Sequence, residues 1–160
     1  MIPAGTDHPE RVSILALIAT LLLVSGSGLV QTVTPAEAAP RSSNAGAAAA
    51  MISSYRAAYG LRRVVVDPRL NAAAEYQARV VAALGSLSHG DFAGRMAAFG
   101  IRGKAAENLG IGVASVDQAI AQWRASSAHN ANLLMPEATR IGIAHADAGY
   151  RRYWALVLAR

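Results

Sequence analysis

The sequence predicts an α+β domain in which an antiparallel sheet is flanked by helices, an α-β-α sandwich. Two observations lead to this fold class. Apolar residues recur at helical spacing as far as Trp123, whereas the C-terminal segments Arg140–Ala146 and Tyr153–Leu158 have strand patterns. The second of these segments is apolar on both faces, as in a central strand that is covered on both sides.

The first 38 residues differ from the rest. Val12–Val24 is an apolar run of 13 residues, shorter than the roughly 20 that a membrane-spanning helix needs. The small residues of Ala36-Glu37-Ala38 follow it, as at a signal-peptidase site. We therefore predict a secretory signal peptide over residues 1–38. An uncleaved anchor is the alternative, because Asp7 and Glu10 dilute the positive charge that usually begins such peptides.

Residues 39–46 are small and polar, which predicts a flexible linker before the domain proper at 47–160. Ala47–Tyr59 has apolar residues at helical spacing and is followed by Gly60, so we expect the first helix there. Leu61–Asp67 is predicted to be a connector held to the core by its valines.

The second helix has clear start and stop signals. Asp67 can cap its N-terminus, Pro68 suits the first helical position, and Gly85 ends it. Its inner face follows the 3.6-residue period over four turns. That face consists of Leu70, Ala73, Ala74, Gln77, Val80, Val81 and Leu84.

A loop over Ser86–Gly90 and a short third helix over Asp91–Phe99 come next. Gly103–Val113 is interrupted by glycines and predicted to be partly extended. Ser115 should cap a fourth helix that places Trp123 inward.

An irregular segment, His129–Met135, is then expected to end at Pro136. The two C-terminal strands should be joined by a hairpin turn at 147–149.

Composition limits the possible functions. The chain has no cysteine, which excludes disulfides, a thiol nucleophile and cysteine-based zinc sites. It carries a net charge of +5, but its arginines are spread along the chain without interleaved aromatic residues, so we do not expect a nucleic-acid partner. We expect a secreted monomer, extracellular or periplasmic, without a stable membrane span after signal cleavage.

Three ionisable residues are predicted to converge on one cleft: His89, Glu107 and His129. His89 lies between Ser88 and Gly90, where the backbone is free to turn the ring into a cleft. Glu107 stands in an apolar, glycine-rich segment, where a buried carboxylate needs a partner. The two imidazoles can supply it through a proton, a water or a divalent metal.

Several chemistries remain open for these residues. Two histidines and a glutamate can form a zinc site with one open position, although the separations of 18 and 22 residues match no compact metal motif. A serine nucleophile, Ser126 or Ser88, can be combined with His129 and Glu107, but no Gly-x-Ser-x-Gly elbow is present. Asn108, Asn130 and Asn132 are interpreted as structural residues that bond backbone groups.

Several separated segments carry a family resemblance. They are Ser54-Tyr55-Arg56, Asp67-Pro68, Ser88-His89 with Asp91, Phe92 and Arg95, Ala106–Leu109, Trp123 with Ser126, His129 and Asn132, Ile141–Ala144 and Tyr153-Trp154. In this order they resemble the bacterial branch of the CAP superfamily, which contains cysteine-rich secretory, antigen 5 and pathogenesis-related proteins. The resemblance covers about residues 48–158.

The resemblance implies an α-β-α sandwich, secretion, and a central cleft lined by two histidines and acidic residues. The family's first histidine falls on His89 and its first glutamate on Glu107. Ser126 stands where eukaryotic members have a second glutamate, and Gly149–Trp154 lacks their second histidine. His129 belongs instead to the bacterial Ser-x-x-His-x-x-Asn pattern. Some relatives hold a divalent metal, and some bind sterols or other lipids.

We therefore expect a binding module for a small apolar or cell-envelope ligand. Metal assistance is an option, with a divalent ion such as zinc held by His89, Glu107 and His129. The expected cleft also includes Ser88, Asn108 and Ser126. One alternative is a metal-dependent hydrolase or peptidase outside the cytoplasm, with the same three ionisable residues as catalytic groups. Another is a structural or surface-interaction protein whose polar groups satisfy one another. Fold alone does not decide among them.

Overall fold

The computed structural model describes residues 39–160, with side chains from residue 44 onward. The predicted signal peptide and its cleavage site at Ala38 lie outside the described residues. Within 39–160, no helix combines the length and the apolar character needed to cross a membrane.

The described part of the chain forms helices on both sides of a mixed sheet. The elements in chain order are α1 (Ala39–Ala57), β1 (Val65–Val66), α2 (Pro68–Leu84), α3 (Phe92–Ala98), β2 (Ala105–Ile111), α4 (Val116–Ala125), α5 (Ser127–Leu133), β3 (Arg140–Ala148) and β4 (Arg151–Ala159). The α-β-α sandwich predicted from the sequence is confirmed.

The sheet has the strand order β1-β3-β4-β2. β4 pairs antiparallel with both β3 and β2, but the two-residue strand β1 pairs parallel with β3. The predicted antiparallel sheet is present in β2, β4 and β3, and the short parallel pair at this edge is an addition that the sequence did not predict. A parallel pair needs a long connection between its strands, and here that connection contains α2 to α5.

Two apolar cores lie on opposite faces of the sheet. The tryptophan core, defined by Trp123 and Trp154, is formed with α1 and α4, and the α2 core is formed with α2 and α3. Every residue of 153–159 is buried, because alternate side chains of β4 enter the two cores. The two-sided apolar pattern of this segment therefore predicted a central strand correctly.

The first helix begins earlier than predicted. The sequence suggested a flexible linker over 39–46, but α1 runs from Ala39 to Ala57. Ala45, Ala48 and Ile52 are buried in the tryptophan core, at spacings that place them on one helix face. Ala45 lies within the predicted linker, but its small side chain lets the helix pack closely against the core.

Arg56 near the end of α1 is completely buried. Its guanidinium donates to the carbonyl oxygens of Arg62 (2.9 Å), Leu133 (2.8 Å), Met135 (3.0 Å) and Ala138 (3.0 Å). Burial lowers the pKa of this guanidinium, and the charge of Arg62 adds to the effect. The side chain ties α1 to the segment that leads into β3.

The second helix has the predicted boundaries. Asp67 accepts hydrogen bonds from the backbone N–H groups of Arg69 (2.8 Å) and Leu70 (3.3 Å), and Gly85 ends α2 with φ of 66°. α2 crosses β3 at Gly142, where a Cβ would lie 2.0 Å from the backbone of Leu70. Glycine at this position therefore sets how closely the helix approaches the sheet.

Two local predictions need correction. The segment expected to be irregular, His129–Met135, is helical as far as Leu133 and belongs to α5. The hairpin turn lies at Gly149 and Tyr150, two residues beyond the predicted start at Asp147, because β3 continues to Ala148. In both segments, regular secondary structure continues through the polar residues that suggested a loop.

The outer edge of β2 is closed by side chains from α4 and α5. The carbonyl oxygens of Glu107, Leu109 and Ile111 accept hydrogen bonds from three side chains in turn. The donors are Asn132 Nδ2 (3.2 Å), Trp123 Nε1 (2.9 Å) and Gln122 Nε2 (3.4 Å). This edge is thereby protected from pairing with a further strand, and α4 and α5 are fixed beside it.

Candidate functional site

The site is organised by Glu107 and Asn108, adjacent residues of β2 that point to opposite faces of the sheet. Glu107 faces the side of the α2 core, and its side chain is 2% exposed. Its Oε1 lies 2.8 Å from His89 Nδ1, and its Oε2 lies 2.5 Å from Arg95 Nη2. The buried carboxylate thus has a partner on each oxygen.

His89 belongs to the connection between α2 and α3, and its side chain is 55% exposed. Two contacts hold this loop. Gln77 Nε2 donates to the Ser88 carbonyl oxygen at 2.5 Å, and Arg95 Nη1 donates to the His89 carbonyl oxygen at 3.1 Å. One ring nitrogen of His89 therefore bonds a buried group while most of the side chain faces outward.

Asn108 connects the other face of β2 to α5. Its Nδ2 donates to the His129 carbonyl oxygen at 3.0 Å, and its Oδ1 accepts from Asn132 Nδ2 at 2.9 Å. Asn130 Oδ1 accepts from the Tyr55 hydroxyl at 2.8 Å. The interpretation of these asparagines as structural residues agrees with these bonds, although the segments they hold are a strand and a helix.

His129 is partly buried near the same edge of the sheet. Burial lowers the pKa of its imidazole, and the charge of His89 lowers it further. His89 bonds Glu107 on one face of β2, whereas the backbone of His129 is held by Asn108 on the other. β2 is an edge strand, so the α2–α3 loop and α5 can meet around it.

The structure joins some of the predicted site residues and not others. His89 and Glu107 are directly bonded, and Asn108 holds the His129 backbone. The Ser88 hydroxyl accepts from the Gly90 N–H within its own loop at 3.2 Å. Ser126 precedes α5 without a side-chain capping bond.

The donor set does not fit a metal ion as it stands. Within residues 39–160, no group of three His, Cys, Asp or Glu side chains is placed to hold one. Both oxygens of Glu107 already accept hydrogen bonds, one of them from a guanidinium. A divalent cation on Glu107 would have to displace His89 or lie beside the permanent positive charge of Arg95.

Arg95 is the site residue that the sequence reasoning missed as a partner of Glu107. It is buried on α3 beside Met96, and it follows Phe92 by three positions. A signal was present, because Arg95 stands at helical spacing among the apolar residues Phe92, Met96 and Phe99. A buried arginine requires a charged or carbonyl partner.

A cavity of about 260 Å³ lies elsewhere, at the β3–β4 hairpin. It is lined by residues of 112–114 together with Asp147 and residues of 149–152. Arg152 closes part of its wall by pairing with Asp147 at 2.8 Å. None of the residues of the histidine site lines this cavity.

Comparison with known families gives one match that covers most of the chain. The family described as the cysteine-rich secretory protein family, CAP, matches residues 49–159. No curated protein matches the chain.

Solved structures from three bacteria share the fold. An extracellular protein containing an SCP domain from Bacillus anthracis has a TM-score of 0.68 at 18% identity, over 75% of this chain and 41% of that one. An outer surface protein from Borrelia burgdorferi has a TM-score of 0.63 at 16% identity, over 69% and 87%. A cysteine-rich secretory protein from Staphylococcus aureus has a TM-score of 0.60 at 18% identity, over 78% and 40%. The chain thus spans about two fifths of the Bacillus and Staphylococcus proteins.

Proposed function

The chain belongs to the cysteine-rich secretory protein (CAP) family, and from this membership we propose that it is a secreted binding module for a small apolar ligand or a cell-envelope component. The predicted signal peptide supports export. So do the descriptions of similar structures as an extracellular protein and an outer surface protein. The lack of cysteine is consistent with the bacterial branch of the family.

One observation carries the proposal. An outward-facing imidazole, His89, is fixed at one ring nitrogen by a carboxylate that is almost fully buried, Glu107. A buried ion pair costs desolvation energy that apolar residues of similar volume would not. A fixed, exposed polar group on such a base can orient a ligand.

A site for such a ligand also needs apolar contact surface, and apolar side chains near His89 in the sequence supply it. Leu84, predicted to lie on the inner face of the second helix, is instead 63% exposed at the end of α2, and Leu87 is exposed two residues before His89. Exposed leucines beside a polar anchor suit a ligand with an apolar body and one polar group. The His89 side chain is 55% exposed, which fits a ligand that is only partly enclosed.

The proposal predicts that the purified protein binds the uncharged apolar fluorophore N-phenylnaphthylamine. Replacing both leucines, Leu84→Ser with Leu87→Ser, should weaken this binding by about 10-fold or more, because the apolar contact is lost. Glu107→Gln should keep it. Fluorescence titration measures each affinity, and circular dichroism confirms folding.

Val65→Ser is the matched control, because Val65 is also an exposed apolar residue, at 62%, but belongs to β1 at the opposite edge of the sheet. It should leave binding unchanged. Equal loss in Val65→Ser and in the leucine variant, or no binding by folded wild-type protein, would overturn the proposal. Lower melting temperatures for His89→Ala and His129→Ala without any effect on binding would favour a purely structural site.

A hydrolase is the second candidate, and one contact favours it. A histidine bonded to a buried carboxylate is the arrangement of a general base with its orienting group. Neither Ser88 nor Ser126 is hydrogen-bonded to His89 among the described residues, so the attacking group would be water. Wild-type protein should then hydrolyse p-nitrophenyl butyrate and folded Glu107→Gln should not; absence of turnover in the wild type ends this candidate.

The metal-assisted form of either function remains a separate prediction from the sequence. The function that we propose involves no metal, because the guanidinium of Arg95 already pairs with the Glu107 carboxylate. Calorimetric titration of the purified protein with zinc should therefore show no micromolar binding. Tight binding that His89→Ala and His129→Ala both abolish would restore the metal site.

A further inference from the structure

We infer that the C-terminal end of α1 carries a second binding site, in which Arg124 and Arg62 hold a phosphate group of a polyvalent anion. Neither His89 nor Glu107 contributes to this site. Its ligand is therefore additional to the one proposed above, and the two sites can be tested separately.

Arg124 is stacked on an anchored aromatic ring. It stands in the last turn of α4, and the central carbon of its guanidinium lies over the ring of Tyr55, 4.1 Å from the centroid. The Tyr55 hydroxyl is bonded to Asn130 Oδ1 at 2.8 Å and to the Tyr59 hydroxyl at 3.3 Å, while the ring packs against the tryptophan core. Stacking holds a guanidinium through its face and leaves the N–H groups at its edge available for an anion.

Arg62 lies on the connection between α1 and β1, which folds back on the end of α1. The Leu61 N–H donates to the Arg56 carbonyl oxygen at 3.0 Å, and Arg56 Nε donates to the Arg62 carbonyl oxygen at 2.9 Å. The backbone of Arg62 is thus held beside Arg56, the residue that follows Tyr55 in the helix. Both Arg62 and Arg124 are exposed.

No carboxylate of residues 44–160 pairs with either arginine. Five of the seven acidic side chains in this range pair with other cations. The pairs are Asp67 with Arg140, Glu75 with Arg79, Glu107 with Arg95, Glu137 with Lys104 and Asp147 with Arg152. The other two, Asp91 and Asp117, lie at the N-terminal ends of α3 and α4, and Asp117 is thus at the end of α4 away from Arg124.

The buried guanidinium of Arg56 adds positive charge beneath this surface. Its four hydrogen bonds all go to carbonyl oxygens, which are neutral. Its charge therefore has no counter-ion among the described residues, and a buried charge is screened by salt much less than an exposed one. An anion bound at the end of α1 would supply the missing negative charge.

The arrangement favours a phosphate over a carboxylate. One guanidinium can occupy both oxygens of a carboxylate through two parallel N–H bonds. A phosphate group has three acceptor oxygens and can use arginines from two elements at once. The side chains next to Arg124 are tyrosines and an asparagine rather than the leucines, phenylalanines and tryptophans that enter a lipid surface, so we expect a soluble or polymeric phosphate rather than a membrane.

Calorimetric titration of the purified protein with tripolyphosphate, in metal-free buffer at about 0.15 M salt, tests the site. Arg124→Gln and Arg62→Gln should each weaken binding by about 10-fold or more, because charge-assisted hydrogen bonds are lost. Arg102→Gln is the matched control. Arg102 is also exposed and has no carboxylate partner among the described residues, but it lies between α3 and β2, beside Ile101 of the α2 core. Its replacement should change the affinity by less than about 2-fold, since exposed charges beyond a Debye length are largely screened.

Two further measurements test the chemistry of recognition. Arg124→Lys keeps the charge but loses the planar fork and the stacked face, so it should weaken binding nearly as much as Arg124→Gln. Citrate, a polycarboxylate, should bind the wild-type protein at least about 10-fold more weakly than tripolyphosphate. Circular dichroism confirms that each variant is folded.

Equal losses in Arg124→Gln and Arg102→Gln would show attraction by net charge alone and would overturn the site. Full affinity in Arg124→Lys, or equal affinity for citrate, would overturn the recognition of phosphate by the arginine fork. Absence of tripolyphosphate binding by folded wild-type protein would also overturn the inference, and sedimentation with phosphatidylglycerol vesicles would then indicate a lipid surface instead. His89→Ala should bind tripolyphosphate as the wild type does, so that failure of the proposed function and failure of this site are distinguishable.

Discussion

At the scale of single residues, two buried charged side chains, Arg56 and Glu107, have different kinds of hydrogen-bond partner. Arg56 has only backbone carbonyl partners and ties together segments far apart in the chain. Glu107 has two side-chain partners from one short stretch, His89 and Arg95. The first arrangement leaves the charge without a counter-ion among the described residues, whereas the second leaves a polar ring exposed beside the charge.

The free energy of unfolding should depend on pH in part through the protonation of His129. Its pKa lies below the ordinary 6.5, mainly because of burial and also because of the charge of His89. The unfolded chain then binds the proton more readily than the folded chain, so stability is complete above about 6.5 and is lost as pH falls toward the lower folded value. We expect the free energy of unfolding to decrease between about pH 7 and pH 5 in urea titrations.

His129→Gln removes the titrating group and keeps a polar side chain of similar length. The decrease in the free energy of unfolding over the same pH interval should be smaller in this variant. An equal decrease in both proteins would show that burial of His129 has no part in it.

At the scale of elements, the start of α2 is joined to β3 through one carboxylate. Asp67 caps the helix and also accepts from Arg140 Nη1 at 2.6 Å. Burial by itself would raise the pKa of Asp67, but the hydrogen bonds from Arg140 and from the backbone of Arg69 and Leu70 outweigh it and lower the pKa below 3.8. This contribution to stability is present above about pH 4 and is lost in acid below it.

Asp67→Ala should therefore destabilise the protein by about 2–4 kcal/mol at neutral pH, the sum of a lost cap and a lost charged hydrogen bond. Asp67→Ser is the matched variant, because serine also caps helices but cannot pair with Arg140. It should recover about 1 kcal/mol of the loss. Urea unfolding measures both, and equal stability of the alanine and serine variants would contradict the capping role.

At the scale of the whole molecule, β4 is the strand that contributes side chains to both cores. Its residues alternate between the tryptophan core and the α2 core. Both tryptophans, Trp123 and Trp154, belong to the first. Tryptophan fluorescence therefore reports directly on one face of the sheet only, which makes coupling between the faces measurable.

Leu70→Ala, in the α2 core, should cost about 2–5 kcal/mol because it leaves a cavity at a fully buried position. If the cores unfold together, the fluorescence and far-ultraviolet circular dichroism transitions should shift equally and remain coincident. The exposed Leu84→Ala should change stability by less than about 0.5 kcal/mol. A fluorescence transition that stays in place in Leu70→Ala would show that the two cores unfold separately.

The sequence by itself determined the features that depend on neighbours along the chain. The cap at Asp67, the stop at Gly85 and the two-sided apolar pattern of β4 each express a local preference that needs no knowledge of the fold. Motifs carrying the family resemblance also placed His89 and Glu107 in one site. Local patterns predicted the wrong secondary structure where small or polar residues contact distant parts of the chain. This happened at residues 44–46 of α1 and in α5.

Only the tertiary structure decided which charges meet. Arg95 and Glu107 are 12 residues apart, and His89 and His129 come from opposite faces of the sheet. Nothing in their local sequence fixes the register of β2 beside β4, which brings Glu107 under the α2–α3 loop while Asn108 holds α5. Burial then makes the pairing of Glu107 with Arg95 obligatory, because an unpaired charge inside the protein is costly. His89, Glu107 and His129 were thus readable from the chain as site candidates, whereas the pairing of Arg95 with Glu107 came from the packing of two layers around one edge strand.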